Sequence, residues 1–284
     1  MRVAVVMFGI PRGAQATLPR IRRLWLEPLR HVSDLKVVCH LFRQVRVENP
    51  TTGEHGRISN ADLHAFSDFD CAAEDPDPSA LLEELEQMRT FGDFAEDNLI
   101  SLRNLLHQLH SLQAATLLAE RFGPDAVVFL RPDLLYHAPA PISAILGVGP
   151  RTCILPPWHW WGGYNDRLSI CGSDAYRSYG SRGRLKLDYC RSLGPLHPEK
   201  LLRFALRAGG VRLRTLDVHA SRVRVNGVVK QEDFDPHATL GGGMRLRMEW
   251  NLARLRSKGI AGHQPSRGGD AASGYSAGLA SGWD

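Results

Sequence analysis

Apolar residues fall in short runs separated by glycine and proline. Residues 3–8 are wholly apolar, β-rich and closed by Gly9, the pattern of a strand buried on both faces in a parallel sheet. Residues 35–42 and 126–130 repeat it. Between the first two runs, Thr17 as N-cap and Pro19 just inside open a helix carrying Ile21, Leu24, Trp25 and Leu29. Ser79 caps a Leu/Glu helix that runs to Met88. Leu99, Leu102, Leu105, Leu106, Leu109 and Leu112 keep a three-to-four spacing, predicting a long helix over residues 96–122. Gly123 and Pro124 stop it. Beyond residue 133 come another small helix, strands at 153–155 and 168–171, helices at 174–179 and 198–208, and runs at 211–213 and 218–225 that finish the sheet. Residues 43–78 are polar, punctuated by Pro and Gly, and predict a long excursion with little regular structure. Strand and helix alternate, so the expected class is α/β: a mainly parallel central sheet flanked by helices, in one domain over residues 1–235.

After that the pattern changes. Residues 236–258 form a basic amphipathic segment with Met244, Met248, Leu252 and Leu255 on one side. It is either a helix packed back on the core or a surface-seeking helix able to touch a membrane peripherally. Residues 259–284 are rich in Gly, Ser and Ala, as a disordered tail is.

At 284 residues, with 43% hydrophobic and 23% charged, the chain can bury a sizeable core. Its net charge of +5, almost all from arginine, suits a polyanionic ligand such as a diphosphate and does not argue for nucleic acid. Five dispersed cysteines without a C-x-x-C support neither a zinc ribbon nor a disulfide framework and predict buried thiols in a reducing, cytoplasmic setting. The N-terminal run with Ala14-Gln15-Ala16 mimics a signal peptide, but Pro11 and Arg12 break it, so the strand reading is preferred. No stretch is long and apolar enough to span a membrane.

Several motifs fail. The G-x-S-x-G match at residues 274–278 lies in the tail, without the strand and helix a nucleophile elbow needs. None of the five lysines is followed by Ser or Thr, so there is no P-loop. His107 and His110 have a spacing metals use, yet no carboxylate partner is evident, and they read as helix-surface histidines.

Chemistry is expected where strands end. Gly9-Ile10-Pro11-Arg12-Gly13 offers small residues for close backbone approach and an arginine suited to phosphate, or a simple turn. Arg131-Pro132-Asp133 presents two charges at the sheet edge, for a cation or sugar hydroxyl or as an internal pair. Asn104, Gln108 and Ser111 share one arc of the long helix, where they contact a base and ribose or water. Trp158, Trp160 and Trp161 stack on a sugar or plug the core, beside Asn165-Asp166-Arg167. Glu199 sits in the first turn of the helix opened by His197-Pro198.

Together these residues resemble bacterial polysaccharide-type glycosyltransferases of the GT-A fold. In that family a strand ends in Gly-x-x-Arg (here Gly9 to Arg12), a helix carries Gln-x-x-Ser (Gln108 to Ser111), and a strand enters Arg-Pro-Asp-Leu (Arg131 to Leu134). An Asn-Asp-Arg turn (Asn165 to Arg167) and a helix starting His-x-Glu (His197 to Glu199) follow in that order. The resemblance spans residues 2–225. It implies a nucleoside-diphosphate sugar as donor and a hydroxyl acceptor. It also implies that Arg12, Gln108 and Ser111 hold the nucleotide and that Asp166 and Glu199 lie towards the acceptor. Gly9 and Asp133 are expected beside the nucleotide and Trp160, Trp161 and Asn165 beside the acceptor; if the reaction inverts, Asp166 is the first candidate for general base and Glu199 the second. Arg131-x-Asp133 occupies the place of the family's metal-binding D-x-D motif. With arginine as its first residue, a Mn or Mg ion at Asp133 is in question, and Arg131 can itself neutralise the leaving group. Two rivals remain: a nucleotidyltransferase of similar topology, and a non-catalytic binding protein on a degenerate transferase fold.

Overall fold

Side chains alternate across a strand, and the first strand, β1 (Arg2–Gly9), shows what this does for the core. Val3, Val5 and Met7 enter one apolar cluster with Leu18, Ile21 and Trp25. Ala4, Val6 and Phe8 enter another on the opposite face with Leu112, Ala115 and Leu206. Each fully buried aliphatic side chain contributes about 1.5–3 kcal/mol, so a strand packed on both faces anchors the molecule.

The computed structural model describes residues 1–49, 53–77, 79 and 81–238. The amphipathic segment and tail expected over 236–284 thus lie almost wholly outside the described residues. After β1 come α1 (Ala14–Ile21), a π-helical turn (Arg22–Leu26), α2 (Glu27–Val32) and β2 (Asp34–Phe42). The excursion then holds β3 (Arg46–Asn49), β4 (Glu54–Arg57), α3 (Asn60–His64) and β5 (Asp70–Glu74), followed by α4 (Leu82–Arg89) and the long α5 (Ile100–Glu120). Next are β6 (Ala126–Leu130), β7 (Leu134–Tyr136), α6 (Ile142–Leu146), β8 (Thr152–Leu155) and β9 (Leu168–Gly172). Last come α7 (Tyr176–Gly180), α8 (Lys186–Leu193), α9 (Pro198–Ala208), β10 (Arg212–Thr215) and β11 (Ala220–Arg222).

Seven strands form the central sheet in the order β10-β8-β9-β6-β1-β2-β5. All neighbours are parallel except β9, which runs antiparallel to both β6 and β8. The expected α/β class, a mainly parallel sheet flanked by helices in a single domain, is the one observed. Among the described residues no helix is long and apolar enough to cross a membrane. All five cysteines are free, and all but Cys71 are buried.

Four local expectations are corrected. The excursion is not structureless: it contributes the edge strand β5 and a β3–β4 hairpin. The run ending near residue 225 does not finish the sheet; β11 pairs antiparallel with β7 in a separate ribbon. The first helix starts at Ala14 behind a left-handed Gly13, so Thr17 lies within it and donates to the Gly13 and Pro132 carbonyls rather than capping. Pro19 is likewise interior, ahead of the π-helical turn, a usual accommodation where a helical N–H is missing. The long helix starts at Ile100, because Asp93 gathers the N–H groups of Ala95, Asp97 and Leu99, and Glu96, Asn98 and Leu99 take positive φ.

Candidate functional site

β1 lies between β2 and β6, so the chain leaves it to one side and later returns on the other. The carboxyl ends of β1 and β6 therefore border a crevice at the point where strand order reverses, the usual ligand position in such sheets. A cleft of about 610 Å³ opens there. Arg12, Arg46, Arg103, Arg131, Arg222 and Arg224 line it, against two acids, Asp133 and Glu48. Phe8, Gly9, Phe42, Asn104, His107 and Gln108 are among the other residues of its wall.

Asp133 is the hub of the floor. It is 2% exposed. Its Oδ2 accepts from Arg12 Nη2 at 2.6 Å, Arg12 Nε at 3.1 Å and Arg131 Nη2 at 2.8 Å, while Oδ1 accepts from Arg131 Nε at 2.9 Å. Burial opposes ionisation of this carboxyl, but the charges of Arg131 and Arg12 outweigh it and hold it far below the usual carboxylate range. Arg12 also donates to Glu54 at 2.7 Å, and Glu54 is bound in turn by Arg224 and the Val225 N–H. Asp133 therefore does not fit the metal role expected of it. Both its oxygens are taken by guanidinium groups, where a hard divalent cation needs several free oxygen ligands.

Ser111, expected at the nucleotide, is fully buried. Its Oγ accepts the Gly9 N–H at 2.8 Å, donates to the His40 carbonyl at 2.8 Å and lies 3.0 Å from His40 Nδ1. It acts through Gly9 by tying α5 to the ends of β1 and β2. Gly9, at φ 105, adopts backbone that L side chains rarely take. Gln108 does line the cleft and donates to Asp166 Oδ2 at 2.9 Å.

Asp166 lies behind Gln108, and neither it nor Glu199 lines the cleft. Asp166 is 5% exposed; besides Gln108 it faces the fully buried Arg182 at 3.5 Å, and its carbonyl accepts Tyr179 Oη at 2.7 Å. Burial, followed by the charge of Asp166, pushes Glu199 up to about 8. His197, 3.2 Å from Glu199, is pushed down to about 4 by burial and then Lys200. Gly163 explains how two loops meet here: a Cβ on it would lie 2.0 Å from the Glu199 carbonyl carbon.

The acceptor set divides. Trp160 is 2% exposed and its Nε1 donates to the Pro156 carbonyl, so it plugs the core and cannot stack on a ligand. Asn165 is also internal: it donates to the Trp158 carbonyl and accepts the Arg167 N–H. Trp161 is half exposed and free to stack.

Some site residues were missed by sequence reasoning. Arg222 and Arg224 flank buried Val223, a period-two alternation that places both on one face. Arg103 precedes His107 by one helical turn. Glu54 and the buried Glu232, which pairs with Arg222 at 2.7 Å, carry no local signal. His110 does have a carboxylate partner, Glu74 at 2.8 Å, brought in by the unforeseen β5.

No protein-family model and no curated protein matches the chain. Among solved structures, the apo form of mouse xyloside xylosyltransferase 1 is similar over 73% of this chain and 82% of that chain, at 14% identity and a TM-score of 0.36. A likeness at that level assigns neither family nor chemistry.

Proposed function

We propose that the chain is a glycosyltransferase that moves a sugar from a nucleoside diphosphate to a hydroxyl acceptor in glycan synthesis. The observation that carries this reading is the arginine-lined cleft at the carboxyl ends of β1 and β6. Arg12 and Arg131 are held rigid by Asp133, while Arg46 and Arg103 have no carboxylate partner among the described residues. A diphosphate meets fixed donors and two uncommitted charges, an arrangement that stabilises a leaving group without reorganisation.

The acceptor oxygen attacks the anomeric carbon, and the bond to the diphosphate breaks with its electron pair leaving on phosphate. In an inverting transfer the acceptor proton passes to a carboxylate. Asp166 is the first choice for that role and Glu199 the second. Gln108 spans from the cleft to Asp166, and exposed Trp161 offers a face for the acceptor sugar. No step is routed through a metal at Asp133. The free, mostly buried cysteines suit a reducing compartment such as a bacterial cytoplasm.

The test is a thermal-shift screen of nucleoside mono- and diphosphates and their sugars, with Mn²⁺ or EDTA. At 100 times its dissociation constant, a specific ligand stabilises the fold by about 2.7 kcal/mol. One nucleoside diphosphate is expected to do so equally in EDTA; no shift with any of them sinks the reading. The non-catalytic rival gains from the arginine-quenched Asp133, and binding without turnover over a broad acceptor panel would favour it.

A further inference from the structure

Three elements converge beside the cleft with a ligand set that the proposed transfer does not use. His40 lies near the end of β2, Glu74 ends β5, and His110 lies on α5. Phe42 pairs with Glu74 in the β2–β5 register, which puts the carboxylate level with the end of β2. One ligand atom from each of His40, Glu74 and His110 falls within 4.8 Å of the others.

The spacing and the surroundings of the three side chains fit a metal centre. His110 Nε2 lies 2.8 Å from Glu74 Oε1, and His40 Nε2 lies 3.5 Å from Glu74 Oε2. The second separation is close to the roughly 3.4 Å edge of a tetrahedron built on zinc–ligand bonds of about 2.0–2.1 Å, while the first is of hydrogen-bond length, to the other carboxylate oxygen, and must open to admit an ion. The His40 side chain is 6% exposed, and its other ring nitrogen is held by Ser111 Oγ at 3.0 Å. A fixed partner on Nδ1 that aims Nε2 is the outer-shell device of histidine metal ligands. Glu74 and His110 are each nearly half exposed, at 42% and 47%, so an ion has an entry path and a position open to water.

We infer that His40, Glu74 and His110 form a binding site for a zinc-class divalent ion, clamping β2, β5 and α5 along the wall of the cleft. Two imidazoles and one carboxylate select a borderline ion such as Zn²⁺ or Co²⁺ over Mg²⁺. Three protein ligands leave a fourth position for water. Phe42, which lines the cleft, packs edge-on to His40 at 5.7 Å and to His107 at 5.3 Å, so the clamp stiffens that wall. This site is distinct from Asp133 and does not depend on the proposed transfer.

The experiment uses the full chain, stripped with chelator and desalted. Zn²⁺ is titrated in competition with a chromophoric indicator, and Co²⁺ serves as a spectroscopic probe. A single tight site is expected, with visible Co²⁺ bands of tetrahedral intensity and no competition from Mg²⁺. His110→Ala and Glu74→Gln, both at half-exposed positions, should each weaken binding by at least about tenfold, the lower end of what losing even an outer partner costs. His107→Ala should leave affinity unchanged. Zn²⁺ affinity retained in both ligand variants would reduce the cluster to a plain histidine–carboxylate pair and overturn the inference. A loss in His107→Ala equal to that in His110→Ala would overturn the ligand set.

Discussion

The Asp166–Glu199 pair concentrates two carboxyl groups next to a buried arginine, and its electrostatics give a pH signature. Glu199 titrates at about 8 in the folded chain against an ordinary 4.5. The folded state therefore binds more protons than the unfolded state between those values. Its contribution to stability is complete below pH 4.5 and is lost as pH rises through about 8. His197 and His159, the latter buried in the tryptophan loop 2.6 Å from Arg167 Nη1 and pushed down by burial and then by that charge, act in the opposite sense. Each falls from 6.5 to about 4, so their contribution is present above pH 6.5 and is lost as pH falls through 4. Above pH 6.5 the histidines are silent and the decline due to Glu199 stands apart from them. Denaturant melts at pH 6.5 and 8.5 should show that decline, and Asp166→Asn should flatten it by removing a charge that raises Glu199. The same variant should lose about 1–3 kcal/mol overall, because buried Arg182 loses a charged acceptor. An unchanged slope would mean that Asp166 does not act on Glu199. Retained turnover in this variant, once a substrate is known, would remove Asp166 from the mechanism.

At the scale of elements, one serine couples the helix α5 to two strand ends. Ser111→Ala leaves the Gly9 N–H without its acceptor and the His40 carbonyl without its donor. A buried group left unsatisfied costs about 1–3 kcal/mol, and melts should show a loss in that range. Nucleotide affinity should fall with it, since the Gly9 turn forms the cleft wall; unchanged stability would dissolve the link between α5 and β1. This element also marks what was legible in the sequence. The helix-period spacing located α5, the apolar run at 126–130 predicted β6, and the helix expected over 198–208 is α9. The arc of Gln108 and Ser111 was visible, but periodicity cannot say which member points at the ligand and which into the sheet. β5 was invisible because Asp70-Cys71-Ala72-Ala73-Glu74 lacks β-branched residues and pairs on one side only, with β2. With β5 went Glu74, and without it His110 looked like a surface histidine.

For the whole molecule, charge is arranged in two layers around the cleft. Arg12, Arg131, Arg222 and Arg224 are spent on Asp133, Glu54 and Glu232, and they make the floor rigid. Arg46 and Arg103 are exposed at the rim. The first layer came partly from sequence, through Arg12 and Arg131-Pro132-Asp133. Its closure by Glu54, which reaches Arg224 170 positions away, and by Glu232, ten positions beyond Arg222, follows no periodic pattern. The layers should respond differently to mutation. A hydrogen bond to a charged group is worth about 1.5–3 kcal/mol, and 1.4 kcal/mol is about tenfold in affinity. Arg46→Ala and Arg103→Ala should therefore each weaken nucleoside-diphosphate binding by about tenfold or more with the melting temperature unchanged. The rim contribution should also shrink as salt is raised, because exposed charges are screened. Arg12→Ala should instead destabilise the fold, since it removes a cation from two buried carboxylates and leaves Asp133 with Arg131 alone. Calorimetric binding beside thermal melts separates the cases. If the rim variants bind diphosphate as tightly as the natural chain, the anion does not lie across the cleft mouth, and the leaving group must be held by the floor alone.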